Sequence, residues 1–113
     1  VESTAKIKFL RKAPRKARLV VDAVRGMKVS GALSLLELSM TQGAAEDVAK
    51  LLKSAVANMQ SKHTDAAIDV DDLRIKEIKV EEGPVLKRFR PAAHGRAMRI
   101  LKHMCHISVT IEN

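Results

Sequence analysis

The chain has 113 residues, 46% of them apolar, and its 21 Lys and Arg against 13 Asp and Glu give a formal net charge of +8. This length supports one small domain over residues 1–113 with a single modest core, and no apolar run reaches the roughly 18 residues of a membrane span. A polycation points to a polyanionic partner, nucleic acid or an anionic membrane face, and says nothing about fold.

Residues 4–10, TAKIKFL, alternate as a half-buried strand does, with Ala5, Ile7 and Phe9 on one face and Lys6 and Lys8 on the other. The same stretch lacks the continuous apolar segment of a secretory signal. The next segment, RKAPRKARLVVDAVRG, predicts a short helix. Pro14 suits its first turn, where no N–H is needed. Ala17, Val20, Val21 and Val24 recur at helical spacing, and Gly26 is a natural stop. Arg11, Lys12, Arg15, Lys16 and Arg18 crowd the start of this helix, where cations oppose the macrodipole at up to about 1 kcal/mol each. Such a run is either a solvated charged face or the seat of a compensating anion, which free N–H groups also attract.

Ser30 is placed to cap a second short helix, with Ala32, Leu33, Leu36 and Met40 along its buried side. Thr41-Gln42-Gly43 reads as the break. From Ala44 to about Ser61 the pattern is the most regular in the chain, with Ala45, Val48, Leu52, Ala55, Val56 and Met59 in one stripe. Met59 belongs to that stripe as a core residue rather than as a cofactor ligand. His63-Thr64-Asp65 begins a polar connection. Residues 65–82 hold seven acids, which read as a solubilising strand edge turned away from the polyanion rather than as paired catalytic carboxylates. Leu73 and Ile75 share one phase, and Ile78 and Val80 share the other, which predicts a bulge or a strand passing from one environment to another. At the end of the chain, Cys105, Ile107, Val109 and Ile111 alternate with His106, Ser108 and Thr110 as a return strand.

Between these last two strands lies GPVLKRFRPAAHGRAMRILKHM, residues 83–104. It carries Lys87, Arg88, Arg90, Arg96, Arg99 and Lys102, with His94 and His103, and no acid. Gly83-Pro84, Pro91 and Gly95 argue against a continuous helix. Strand-like sequence on both sides predicts a long β-hairpin of about eight to ten residues per arm, projecting roughly 25–30 Å. A finger with so few large apolar residues has no core of its own and needs a polyanion to lie against. The alternative for the same residues is a mobile, solvated loop. The expected fold is therefore α+β: a small three-stranded antiparallel sheet packed on three helices, with one long protruding hairpin over about 83–104.

No catalytic residue, metal or cofactor is expected. On a strand, His103 and Cys105 point to one face and His106 to the other, so they do not converge on a metal. The lone Cys105 falls in the apolar phase, cannot close an internal disulfide, and fits a reducing compartment. No phosphate-binding glycine loop, zinc-binding helix or nucleophile elbow is present. Trp and Tyr are absent and Phe occurs only at Phe9 and Phe89, which argues against RNA readers built on aromatic platforms.

Three segments, KAPRKARLVVDAVRG, LLKSAVANMQSKH and EEGPVLKRFRPAAHGRAMRILKHMCHISVTI, resemble the universal large-subunit ribosomal protein twenty-two family. The resemblance is collinear from about Ala5 to Ile111. It implies a small α+β domain near the exit of the nascent-peptide tunnel, with a hairpin that threads 23S-type ribosomal RNA and lines that tunnel. It implies that Arg11, Lys12, Arg15, Lys16, Arg18 and Arg25 anchor the globular part on RNA, and Lys6 and Lys8 are counted with them as candidate RNA-binding residues. Along the finger it adds Lys87, Arg88, Arg90, His94, Arg96, Arg99, Lys102 and His103. Lys87, Arg88, Phe89 and Arg90 are assigned to the tunnel tip, where macrolide sensitivity in the family makes Lys87 and Arg88 candidates. The chain departs from the family pattern at Ala92, His94 and Met104-Cys105, where many relatives differ, and this lowers its cationic density. The implied partners are 23S-type ribosomal RNA, neighbouring large-subunit proteins and the nascent peptide, without a membrane or a second copy of the chain. The implied location is the ribosome of a cytoplasm or an organelle. The competing reading is a free basic RNA-binding protein or RNA chaperone using the same surfaces.

Overall fold

Alternation in the last segment makes the central strand of the sheet. In the computed structural model, which describes residues 2–39, 43–62 and 69–113, β3 spans Ala97–Glu112 and lies between β1 (Glu2–Leu10) and β2 (Arg74–Pro91), antiparallel to both. Cys105, Ile107, Val109 and Ile111 are buried on one face, while His106, Ser108 and Thr110 stand half-buried on the other. All three strands thus offer one apolar face, and each fully covered Leu, Ile or Val there contributes about 1.5–3 kcal/mol.

The helices cover that face. Helix α1 (Pro14–Val24) begins with Pro14 in its first turn and buries Ala17, Val20, Val21 and Val24 over β2. Gly26, at φ +77°, makes the left-handed turn after it. Helix α3 (Ala45–Lys62) packs on β1 and β3 through Val48, Leu52, Ala55 and Met59, all fully buried. Ala49 and Leu51 are buried too and widen the expected stripe. Between them, α2 (Val29–Ser34) runs directly into a π turn at Leu35–Ser39 and buries Ala32 and Leu36. The positions expected at Met40, Thr41 and Gln42, and at His63, Thr64 and Asp65, lie outside the described residues.

Two expectations are corrected. Ser30 does not cap α2. The cap position is Lys28, which makes no side-chain cap bond. The helix start is instead tied to the sheet: Val29 N–H donates to the Leu73 carbonyl at 3.0 Å, and Ile75 N–H donates to that of Met27. A tertiary partner for the first N–H replaces the local hydroxyl. Phe9, in turn, does not join Ala5 on the core face. The register between β1 and β3 shifts between Ile7 and Leu10, Phe9 takes φ +58°, and its residue is 58% exposed while Leu10 packs against the core.

The predicted bulge in β2 falls between Ile75 and Glu77, and a second register shift occurs between Glu82 and Val85, at Gly83-Pro84. Proline lacks a ladder donor and is tolerated at such a shift. Beyond it, β2 and β3 continue as a pair with no helix behind them, from Val85 opposite His103 to Pro91 opposite Ala97. These seven pairs extend the hairpin about 23 Å past the core at ~3.3 Å per residue, slightly less than expected. The molecule measures 66 × 27 × 16 Å.

Candidate nucleic-acid interface

The distal hairpin has an unusual cross-strand pattern. Leu86 faces Lys102, Lys87 faces Leu101, Arg88 faces Ile100, Phe89 faces Arg99 and Arg90 faces Met98. Each pair joins one cation to one apolar side chain. Successive pairs point to opposite sides of the ribbon, so both sides carry cations and neither is an apolar face ready to dock on a protein core. No residue from Lys79 to His103 is buried; Leu86 and Ile100 are half-covered. Arg88 donates to the Lys87 carbonyl at 2.9 Å, and an exposed Lys or Arg at such a position can cover an apolar neighbour with its stem while its charged head stays in water.

The turn that closes the hairpin is Ala92–Arg96, held by Ala92 N–H donating to the Arg96 carbonyl at 2.7 Å. His94 and Gly95 both take left-handed conformations, at φ +64° and +72°. Lys87, Arg88, Phe89 and Arg90, assigned above to the tip, stand on the β2 shaft below this turn. His94 and Arg96 occupy the turn itself. Arg99, Lys102 and His103 line the opposite shaft, all exposed.

At the root of the hairpin, the structure brings several of the expected residues together. A hollow of about 400 Å³ lies between Ala13, Pro14, Arg15 and Arg18 of the α1 start and Glu82, Gly83, Val85, His103 and Met104 of the hairpin. A neighbouring one adds Arg11, Leu101 and Lys102. The first turn of α1 carries no acid and no side-chain cap.

Two of the cations expected to anchor the globular part also bond the protein itself. Arg25 donates to the Ile78 carbonyl at 2.5 Å and pairs with Asp22 at 3.2 Å. Arg18 donates to the Val80 carbonyl at 3.4 Å. Both cover outward carbonyls of β2, an edge strand whose open backbone groups otherwise invite pairing with another chain. Nearer the chain ends, Lys76 pairs with Glu2, Arg74 with Glu112, and Lys79 with Glu77 and Glu81. The Lys76 ammonium, by hydrogen bond and charge, holds the Glu2 carboxyl below its usual range, and Glu2 raises Lys76 in return. Acids and bases thus neutralise one another on the proximal β2, whereas the distal hairpin has cations alone.

The open face of the sheet holds Lys6 and Lys8, together with a contact that spacing did not reveal. Phe9 N–H donates to His106 Nδ1 at 2.9 Å, and the two rings meet edge to face at 5.0 Å. The sequence signal was the adjacent pair Phe9-Leu10, which a strictly alternating strand cannot bury together. Cys105 lies in the core, where burial pushes its thiol up. Among the described residues, no helix is long and apolar enough to cross a membrane, and no group of three or more His, Cys, Asp or Glu side chains could hold a metal ion.

Residues 5–112 match the family described as ribosomal protein L22p/L17e. The chain is 51% identical over 111 residues to the large ribosomal subunit protein uL22 of Geobacter sulfurreducens, covering 98% of this chain and 96% of that one. It is 51% identical to the uL22 of Syntrophotalea carbinolica and 50% to that of Geobacter metallireducens, in each case over 98% of this chain and 97% of the relative. Over nearly its whole length, then, the chain belongs to the ribosomal protein L22p/L17e family, whose members are structural components rather than enzymes.

Proposed function

We propose that the chain is built into the large ribosomal subunit and binds its 23S-type RNA. The globular part sits near the tunnel exit, and the hairpin passes through RNA to line the nascent-peptide tunnel. Its neighbours there are other large-subunit proteins and the emerging peptide, and its place in a bacterial cell is the cytoplasm. The observation that carries this reading is the distal hairpin: six Lys and Arg and no acid between Val85 and His103, on both sides of a ribbon with no buried residue. A one-sided surface binder needs cations on one side only. A ribbon charged on both sides suits a channel with phosphates all around it.

The physical terms are those of phosphate neutralisation. Lys and Arg displace condensed counterions, which makes affinity steeply salt-dependent and only weakly sequence-specific. Selectivity comes from fitting the shape of a folded RNA, with arginine planes available for stacking. The hairpin has no core, so its ordering entropy is offset when RNA surrounds it.

Sedimentation of the endogenous protein through a sucrose gradient tests the reading. Near-stoichiometric comigration with large subunits and whole ribosomes, persisting through a moderate salt wash, is the expected result. A signal confined to light fractions, or spread over all RNA and lost at modest salt, would instead identify a free RNA-binder.

A further inference from the structure

We propose that Phe9 is a stacking seat for one unpaired base of the bound RNA, with Lys6 and Lys8 taking the phosphates beside it. This rests on the RNA-binding reading above and adds a contact on the open sheet face, away from the distal hairpin.

Four observations carry it. First, the backbone is bent to put the ring outside. Phe9 takes φ +58°, a conformation that residues with a Cβ rarely adopt and that tends to gather where structure serves function. Without the register shift, Phe9 would follow Ala5 and Ile7 onto the core side. With it, Leu10 goes inward and Phe9 is left 58% exposed.

Second, the exposed ring is held from three strands. Its own N–H donates to His106 Nδ1, and the imidazole meets it at an interplanar angle of 89°. That hydrogen bond requires an unprotonated Nδ1, so the neutral ring carries its proton on Nε2. On its other side the imidazole lies against Gly83, where an added Cβ would come within 3.3 Å of both Cε1 and Nε2. The glycine on β2 therefore makes room for a histidine on β3 that fixes a phenylalanine on β1. A ring held before its ligand arrives loses little freedom on binding.

Third, the ring borders a hollow of about 350 Å³, with Ile107 and Ser108 of β3 lining it and Lys6, Lys8, Lys79 and Glu81 around it. Fourth, the charge there favours an anion. Glu81 and Lys79 pair at 3.9 Å, and among the described residues neither Lys6 nor Lys8 has an acidic partner. As residues two apart on one strand they stand about 6.6 Å from each other on the same face, a spacing that an extended nucleotide strand can match. An apolar ring face beside two lysines that have no acidic partner among the described residues suits a base with phosphates next to it. It suits an apolar protein surface poorly, because docking one there would desolvate both ammonium groups.

The test is ultraviolet crosslinking of the full chain bound to 23S-type ribosomal RNA, with the crosslinked peptides identified by mass spectrometry. The expected result is a nucleotide attached at Phe9, kept in Phe9→Tyr and lost in Phe9→Leu, with hairpin crosslinks unchanged in both. Phe9→Leu should also weaken binding roughly tenfold or more, the loss of one stacked base, with no change in the slope of affinity against salt. Lys8→Gln, by contrast, should lower that slope by about one. Hairpin crosslinks with none at Phe9 would overturn the stacking seat and leave the RNA-binding reading standing. Lysine-reactive crosslinks from Lys6 or Lys8 to another protein in assembled subunits, without a Phe9–RNA crosslink, would overturn it in favour of a protein neighbour. No RNA crosslink anywhere in the chain would remove the RNA-binding reading itself.

Discussion

The globular head and the distal hairpin are made from one continuous pair of strands, yet they obey different rules. In the head, β2 and β3 have helices on one face, and every fully buried residue of the described chain lies there. In the hairpin the same strands run on from Val85 to Pro91 and from Ala97 to His103 with nothing behind them. Charge divides in the same way. Six of the eight net positive charges fall between Val85 and His103, leaving two for the remainder of the chain, where acids and bases pair across the strands and along β2. Backbone hydrogen bonding is shared by both halves, so the difference lies in the side chains. The head is stabilised by burial within the chain, and the hairpin has none of its own; on the proposed function RNA supplies it.

The largest effect that sharpens this contrast is in the core. Leu52→Ala removes a fully buried side chain from α3 and should cost about 2–5 kcal/mol of folding stability. Phe89→Ala, in a residue 71% exposed on the hairpin, should change stability by no more than about 0.5 kcal/mol. Urea unfolding of both variants makes the comparison, and equal losses would break it. The reverse asymmetry should appear in RNA binding. Arg88→Gln with Arg90→Gln should lower the slope of log affinity against log salt by about two and leave the unfolding midpoint in place.

Smaller effects separate cations by role. Arg25→Ala uncovers the Ile78 carbonyl and should cost about 1 kcal/mol of stability, with almost no change in the salt slope of RNA binding. A drop of one in that slope would show that Arg25 also neutralises a phosphate. Least of all, Cys105 should react slowly with an alkylating reagent at neutral pH. It is buried, and burial raises its thiol pKa and so lowers the reactive thiolate fraction. The rate should jump on unfolding, and a fast native reaction would show that the core opens beneath the hairpin root.

Much of this division was legible from the residues. The period-two run from Cys105 to Ile111 and the helical stripe from Ala45 to Met59 name their own faces, because burial on one side imposes a fixed repeat. The phase change after Ile75 announced its bulge, and the acid-free stretch around Arg90 announced the finger. What stayed hidden depended on distant partners. Ser30 has the chemistry of a cap, but Leu73, far away in sequence, accepts the N–H of Val29 and moves the helix start. Phe9 has the spacing of a core residue, but it shares space with Leu10, and His106 accepts its N–H on the open face. Arg18 and Arg25 look like their basic neighbours until the fold places them against the edge carbonyls of β2. The family resemblance supplied the destination proposed for the hairpin, which no periodicity contains.

The most direct test of the contrast between head and hairpin is amide hydrogen exchange, followed on the free chain and again with 23S-type RNA bound. In the free chain, amides from Ile107 to Ile111 should exchange only through global unfolding, while those of Val85–Arg90 and Ala97–His103 should exchange far faster through local opening. With RNA, the hairpin amides should become protected and the head should change little. Hairpin protection equal to that of the head in the free chain, and unaltered by RNA, would show that the finger is stable on its own and would contradict the claim that its burial comes from a partner.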